Sequence, residues 1–187
     1  MSVKKVLLIL ELEGTLMMTR PRNAKVRTFG NTELVLPEQP DAQTPKLDLY
    51  YRRGRVELLS TLFTMQNPFY EVAVWSSLDR ESTEVLSKKY FDRHFRKLLF
   101  VSATSTEDYL TPSQRKFQDE AGRKSMAIER NLGPMFERFN DYNPSNTIMV
   151  SPFRNLNENY AENDLFMQNF AIGQQGYKFI ADFNLIV

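Results

Sequence analysis

The chain has 187 residues, 42% of them hydrophobic and 25% charged, with 24 basic side chains against 23 acidic ones. That length suits a single domain burying roughly two-thirds of the surface its unfolded form exposes, and a net charge of +1 excludes a global field that would recruit nucleic acid or an acidic membrane face. The absence of cysteine excludes disulfides, thiol nucleophiles and thiolate metal sites together, and favours a reducing, intracellular compartment.

The first apolar run, Val6 to Leu10, is cut short by Glu11 and is too brief for a secretory core or a membrane span. Bounded by charge on both sides, it predicts a strand buried on both faces, the first and central strand of a parallel sheet. Residues 20–49, broken by Gly30, Pro37, Pro40 and Pro45, read as a long surface excursion with a short hairpin at Lys25–Phe29 and Leu34–Leu36. After Gly54, the spacing of Val56, Leu58, Leu59, Leu62 and Phe63 predicts a crossover helix that ends at Asn67-Pro68. Glu71 to Trp75 is a second buried strand, followed by the polar turn Ser76-Ser77 and a helix from about Arg80 to Tyr90. A short third strand is expected at Leu98–Val101, then an irregular polar stretch over about 102–129 with a helix near Pro112–Ala121. Leu132, Met135, Phe136 and Phe139 predict a helix over Asn131–Phe139, Thr147–Val150 another buried strand, and Tyr177–Val187 a last helix or strand. Alternation of this kind predicts one three-layer α/β domain over 1–187, with a mainly parallel central sheet and a site at the carboxyl ends of its strands.

Four blocks, in order along most of the chain, resemble the FCP homology branch of the haloacid-dehalogenase superfamily, the aspartate-nucleophile CTD phosphatases. Leu8-Ile9-Leu10-Glu11-Leu12-Glu13-Gly14-Thr15-Leu16 is similar to that family's hydrophobic strand followed by Asp-x-Asp-x-Thr-Leu, with both aspartates replaced by glutamate. Tyr51-Arg52-Arg53-Gly54-Arg55-Val56-Glu57-Leu58-Leu59 resembles its Arg-Pro-Gly helix start, with Arg53 in the place of proline. Tyr70 to Ser77 resembles the second-motif strand and puts Ser76 in the phosphate-contacting position. Arg130 to Phe139 and Asn146 to Asn155 look most like the phosphatase domain of the ubiquitin-like-domain-containing CTD phosphatases, where a lysine stands at Arg130 and paired aspartates at Ser151-Pro152. The chain also resembles the presequence receptor of the mitochondrial inner-membrane translocase, which has a degraded first motif too.

The resemblance implies a Rossmannoid, haloacid-dehalogenase-like fold. It also implies degenerate catalytic positions at Glu11 and Glu13, phosphate-binding positions at Thr15, Ser76 and Arg130, and a degenerate metal site at Glu11 and Ser151. In an active member the first aspartate attacks phosphorus, the second serves as acid and base, and Mg²⁺ is held by the first together with a fourth-motif aspartate. Glu11 keeps the charge but extends it by a methylene, and a displacement on the order of 1 Å costs ~10²-fold in rate. Ser151-Pro152 supplies no carboxylate to the metal; the nearest downstream acid is Glu158. Arg130 keeps the charge and adds a planar fork that holds phosphate bidentately.

The expectation is therefore a catalytically impaired pseudophosphatase without a cofactor, acting as a protein-binding or structural subunit of a larger protein or ribonucleoprotein assembly in the nucleus or mitochondrion. A divergent Mg²⁺-dependent phosphoserine/threonine protein phosphatase is the alternative. His94, the sole histidine, reads as structural. The basic clusters Arg52/Arg53/Arg55 and Arg93/Arg96/Lys97 read as solvated faces that could contact a phosphopeptide or RNA if they met in space.

Overall fold

The computed structural model describes residues 5–22, 39–63, 69–103, 132–152 and 160–167. The expected hairpin at Lys25–Phe29 and Leu34–Leu36, the helix near Pro112–Ala121 and the final element at Tyr177–Val187 lie outside them.

The described elements run β1 (Val6–Leu10), β2 (Met17–Pro21), β3 (Ala42–Gln43), β4 (Leu47–Tyr51), α1 (Arg55–Phe63), β5 (Tyr70–Ser76), α2 (Arg80–Phe91), β6 (Val101–Ala103), α3 (Gly133–Arg138), β7 (Thr147–Ser151) and β8 (Asp164–Phe166). Five of these strands form a parallel sheet in the order β6-β5-β1-β7-β8. The central position of β1 follows from its composition, because only a strand covered on both faces tolerates an unbroken apolar run. Its side chains alternate between the two faces. Leu8 and Leu10 join Val72, Val74 and Val150 in one cluster with Leu58, Leu59 and Leu62 of α1 and Leu86 and Tyr90 of α2. Leu7 and Ile9 join Ala73, Trp75 and Met149 in a second cluster with Leu132 and Met135, at and within α3. Helices on both faces make the three layers, and the expected α/β class is the observed one.

The helices on the first face are tied to each other at their ends. Asp79 caps α2 by accepting the Ser82 N–H at 2.9 Å. Arg55, the first residue of α1, donates through Nε to the Tyr90 carbonyl at 2.8 Å, and its guanidinium lies over the Tyr51 and Tyr90 rings at 4.7 and 5.2 Å. A cation at the last turn of α2 satisfies carbonyls that have no intrahelical partner and complements the helix dipole.

Residues 41–51 depart from the expected irregular excursion. β2, β4 and β3 form a three-stranded antiparallel sheet, with Arg20 opposite Asp48 and Gln43 opposite Asp48. Asp48, a buried carboxyl at the second position of β4, interrupts the apolar pattern that would have announced the strand. It is satisfied across the ladder by Arg20 Nη2 at 2.9 Å and Gln43 Nε2 at 3.0 Å. The third parallel strand also sits later than expected, at Val101–Ala103 rather than Leu98–Val101, although its hydrogen bonding to β5 begins with the Leu99 N–H on the Val72 carbonyl at 2.8 Å. β8 was not anticipated. It is pinned to β7 by Asn163, whose Nδ2 donates to the carbonyls of Pro144 and Thr147, both at 2.6 Å.

Candidate functional site

Strand order puts the site at the carboxyl end of β1. From β1 the sheet grows outward to β5 and β6 on one side and to β7 and β8 on the other, and the strand ends where the order reverses are where ligands of open α/β sheets bind. Glu11 is the first residue past β1, Ser76 ends β5 and Ser151 ends β7. The Glu11 N–H donates to the Val150 carbonyl at 3.0 Å, which continues the β1–β7 pairing one step beyond the strand and fixes Glu11 beside Ser151. The Glu11 side chain is fully buried, and its Oε1 accepts the backbone N–H of Leu12 at 3.2 Å and of Ser77 at 3.0 Å.

The chain then turns sharply. Leu16 and Met17 both donate their N–H groups to the Leu12 carbonyl at 3.0 Å, and the Gly14 N–H donates to the Met17 carbonyl at 2.8 Å. Gly14 has φ 76°, the left-handed region in which a Cβ is unfavourable, so the glycine of Glu-Leu-Glu-Gly-Thr-Leu is a requirement of the turn. Glu13, within this turn, sends Oε1 to the Thr19 N–H and hydroxyl, each at 3.1 Å. Burial raises the Glu13 pKa above its ordinary 4.5; the Thr19 bonds oppose the rise and the nearby Glu11 adds to it.

A carboxyl whose folded pKa is raised binds its proton more tightly in the native state. Its contribution to stability is greatest below the unfolded pKa and declines as pH rises through the folded value. Glu13→Gln should remove that decline: from about pH 4.5 upward, the wild-type urea midpoint minus that of the variant should fall with pH. A difference that stays constant or rises would contradict the burial argument.

Arg52 is the site residue that sequence reasoning misplaced. The sequence groups it with Arg53 and Arg55 as a solvated face, yet only Arg53 is exposed, Arg55 engages the end of α2 and Arg52 is 3% exposed. The Arg52 guanidinium donates to the carbonyl of Thr15 through Nε at 2.7 Å and to that of Gly14 through Nη2 at 3.1 Å, and its N–H donates to the Leu16 carbonyl at 2.9 Å. It thus clamps the motif turn from behind. The acceptors are backbone carbonyls, which leave no trace in a pattern of side chains; the one available signal was its place immediately after β4, where the chain passes the turn.

Thr15 is fully buried, and its hydroxyl has no hydrogen-bond partner among the described residues. Ser76 is buried, with Oγ accepting the Leu78 N–H at 3.2 Å. Ser151 and Pro152 are buried at the end of β7. Arg130 and Glu158 lie outside the described residues. His94 is removed from the site, stacked on Phe63 at 5.0 Å between ring centroids; burial and the flanking Arg93 and Lys97 lower its pKa. Arg93, Arg96 and Lys97 are exposed in the 3₁₀ turn that follows α2.

The resemblance implies a Mg²⁺ ion, which would be held at Glu11 and Ser151. A Glu11 oxygen faces two N–H donors, a Glu13 oxygen is bonded to Thr19, and Ser151 offers a neutral hydroxyl where a hard cation needs charge-bearing oxygen. Among the described residues no group of three or more acidic, imidazole or thiol side chains converges. The described residues therefore do not fit a Mg²⁺ cage.

β1 is central in a parallel sheet, a glycine turn follows it and hydroxyl residues close the neighbouring strands, an arrangement whose fold is shared with a known phosphatase. Among solved structures the chain is similar to Fcp1, described as an essential RNA polymerase II CTD phosphatase, with a TM-score of 0.53 and 13% identity, over 97% of this chain and 50% of that one. It is similar also to a variant of the fission yeast RNA polymerase II CTD phosphatase Fcp1 bound to beryllium fluoride, with a TM-score of 0.52 and 13% identity, over 89% of this chain and 42% of that one. The likeness at this identity is one of fold, and the chain spans about half or less of the length of the structures it matches. No family model and no curated protein matches the sequence. No helix among the described residues is long and apolar enough to cross a membrane.

Proposed function

We propose that this chain is a catalytically impaired pseudophosphatase that serves as a protein-binding or structural subunit of a larger assembly. The observation that carries the reading is the disposition of Glu13. In a phosphatase of this fold a second carboxyl must deliver and recover a proton at the reacting oxygen, which requires hydrogen-bond reach of that atom. Here a Glu13 oxygen accepts two bonds from Thr19, on β2, and the turn that carries Glu13 is clamped by Arg52. Ser151 supports the same reading, since it puts a neutral group beside Glu11 where charge balance for a metal and a phosphoryl group would need an acid. Fcp1 is an RNA polymerase II CTD phosphatase; in this chain a similar fold is retained for contacts rather than for turnover.

The test is direct. Purified protein given Mg²⁺ and an aryl phosphate should release no more phosphate than a Glu11→Ala control. Turnover that this substitution abolishes would establish the phosphatase reading instead.

A further inference from the structure

We propose that the carboxyl of Glu11 is a resident ligand of an anion cradle at the carboxyl end of β1, and that it keeps this cradle closed to phosphate. The proposal rests on the reading of the site as catalytically silent and says what silences it.

Two backbone N–H groups, from Leu12 beyond β1 and from Ser77 beyond β5, meet at one atom, Glu11 Oε1, at 3.2 and 3.0 Å. The donors come from neighbouring parallel strands, and their convergence is set by the sheet and not by the side chain they bind. Fixed amide donors aimed at a common point in a water-excluded pocket are what an anionic oxygen requires, and they cost no reorganisation on binding. Glu11 is fully buried, so its carboxyl sits inside this point and does not merely pass near it. The bond to Leu12 is to the next residue in the chain, a fold-back for which the extra methylene of glutamate over aspartate supplies the length.

Thr15 is the second observation. Its hydroxyl is fully buried in the same turn and has no partner among the described residues. A buried hydroxyl left without a partner is unfavourable by about 1–3 kcal/mol, so the turn, as Glu11 closes it, holds an unsatisfied polar group. The cradle therefore consists of the Leu12 and Ser77 amides, with an internal carboxyl in place of an external oxyanion.

Shortening residue 11 should open it. In isothermal titration with inorganic phosphate, the wild-type chain and Glu11→Gln, which keeps an oxygen acceptor at the same reach, should show no saturable binding. Glu11→Ala should bind phosphate at least about tenfold more tightly, since even one regained charge-assisted bond is of that order. Glu11→Asn, also shorter and neutral, carries the test if Glu11→Ala does not fold by far-UV circular dichroism.

Folded shortened variants that gain no affinity would overturn the proposal and leave the pseudophosphatase reading standing. So would wild-type protein that binds phosphate without hydrolysing an ester. Hydrolysis by the wild type would instead overturn the functional reading itself, and the closed cradle with it.

Discussion

Replacing Arg52 by alanine should lower unfolding free energy by about 3–5 kcal/mol, from two charge-assisted hydrogen bonds at roughly 1.5–3 kcal/mol each. The donors are Nε and Nη2, the acceptors are the carbonyls of Thr15 and Gly14, and both Arg52 and Thr15 are buried. Truncation leaves two carbonyls in the interior without those donors. It also releases the turn that holds Glu11 and Glu13, so the loss should be accompanied by faster amide hydrogen exchange at Gly14 and Leu16. Lysine keeps the charge but has no planar fork with which to reach both carbonyls, and Arg52→Lys should fall about midway. Urea unfolding followed by far-UV circular dichroism measures both. A loss under about 1 kcal/mol for alanine would mean that the turn holds itself.

Trp75→Ala should have a comparable effect, about 3–5 kcal/mol, for a different reason. The indole is 1% exposed on β5 and packs in the cluster of Leu7, Ile9, Ala73, Leu132, Met135 and Met149, where the sheet meets the α3 face. Removing it leaves a cavity that the strands, held in register on both sides, cannot close. Trp75→Phe fills part of that space and should recover more than half of the loss. Because Trp75 is the only tryptophan, its fluorescence disappears with the substitution and the transition must be followed by circular dichroism. Val56, 72% exposed on α1, provides the contrast: Val56→Ala should change stability by no more than about 0.5 kcal/mol. A Trp75→Ala loss as small as that would show that the second cluster contributes little to the core.

The parts of the fold that could be read from sequence are those in which burial alone chooses the residues. β1, β5 and β7 are apolar almost throughout because both faces are covered, and α1 and α2 show their buried stripe at helical spacing. Where polar groups solve a packing problem locally, the signal fails. Asp48 makes β4 look like loop until Arg20 and Gln43 are placed across from it. β8 has three residues, Asp164-Leu165-Phe166, too few to establish a period. In the site, the motif gave the order Glu11, Glu13, Gly14, Thr15, and the strand ends bring Ser76 and Ser151 to the same edge of the sheet. What no motif could give is direction: that a Glu11 oxygen meets two amides, that a Glu13 oxygen meets Thr19, and that Arg52 lies behind the turn.

The small antiparallel sheet bears on how this chain tolerates change in length. β2 and β3 flank β4 on opposite sides, and the Arg22 N–H still bonds to the Lys46 carbonyl at 3.0 Å just beyond the β2–β4 ladder. β2 and β3 both run antiparallel to β4 and so parallel to each other, and the connection from Arg22 to residue 39 must return along the ladder as well as cross it, a span of roughly 20–25 Å that an extended chain covers in about seven residues at ~3.3–3.6 Å each. Geometry asks for far less chain than is present. Doubling the length of such a connection costs only about 0.6 kcal/mol of closure entropy. The ladder thus isolates the parallel sheet from whatever is inserted at this point, and makes it the natural port at which a new sequence can be added while the strand ends around Glu11 stay where they are.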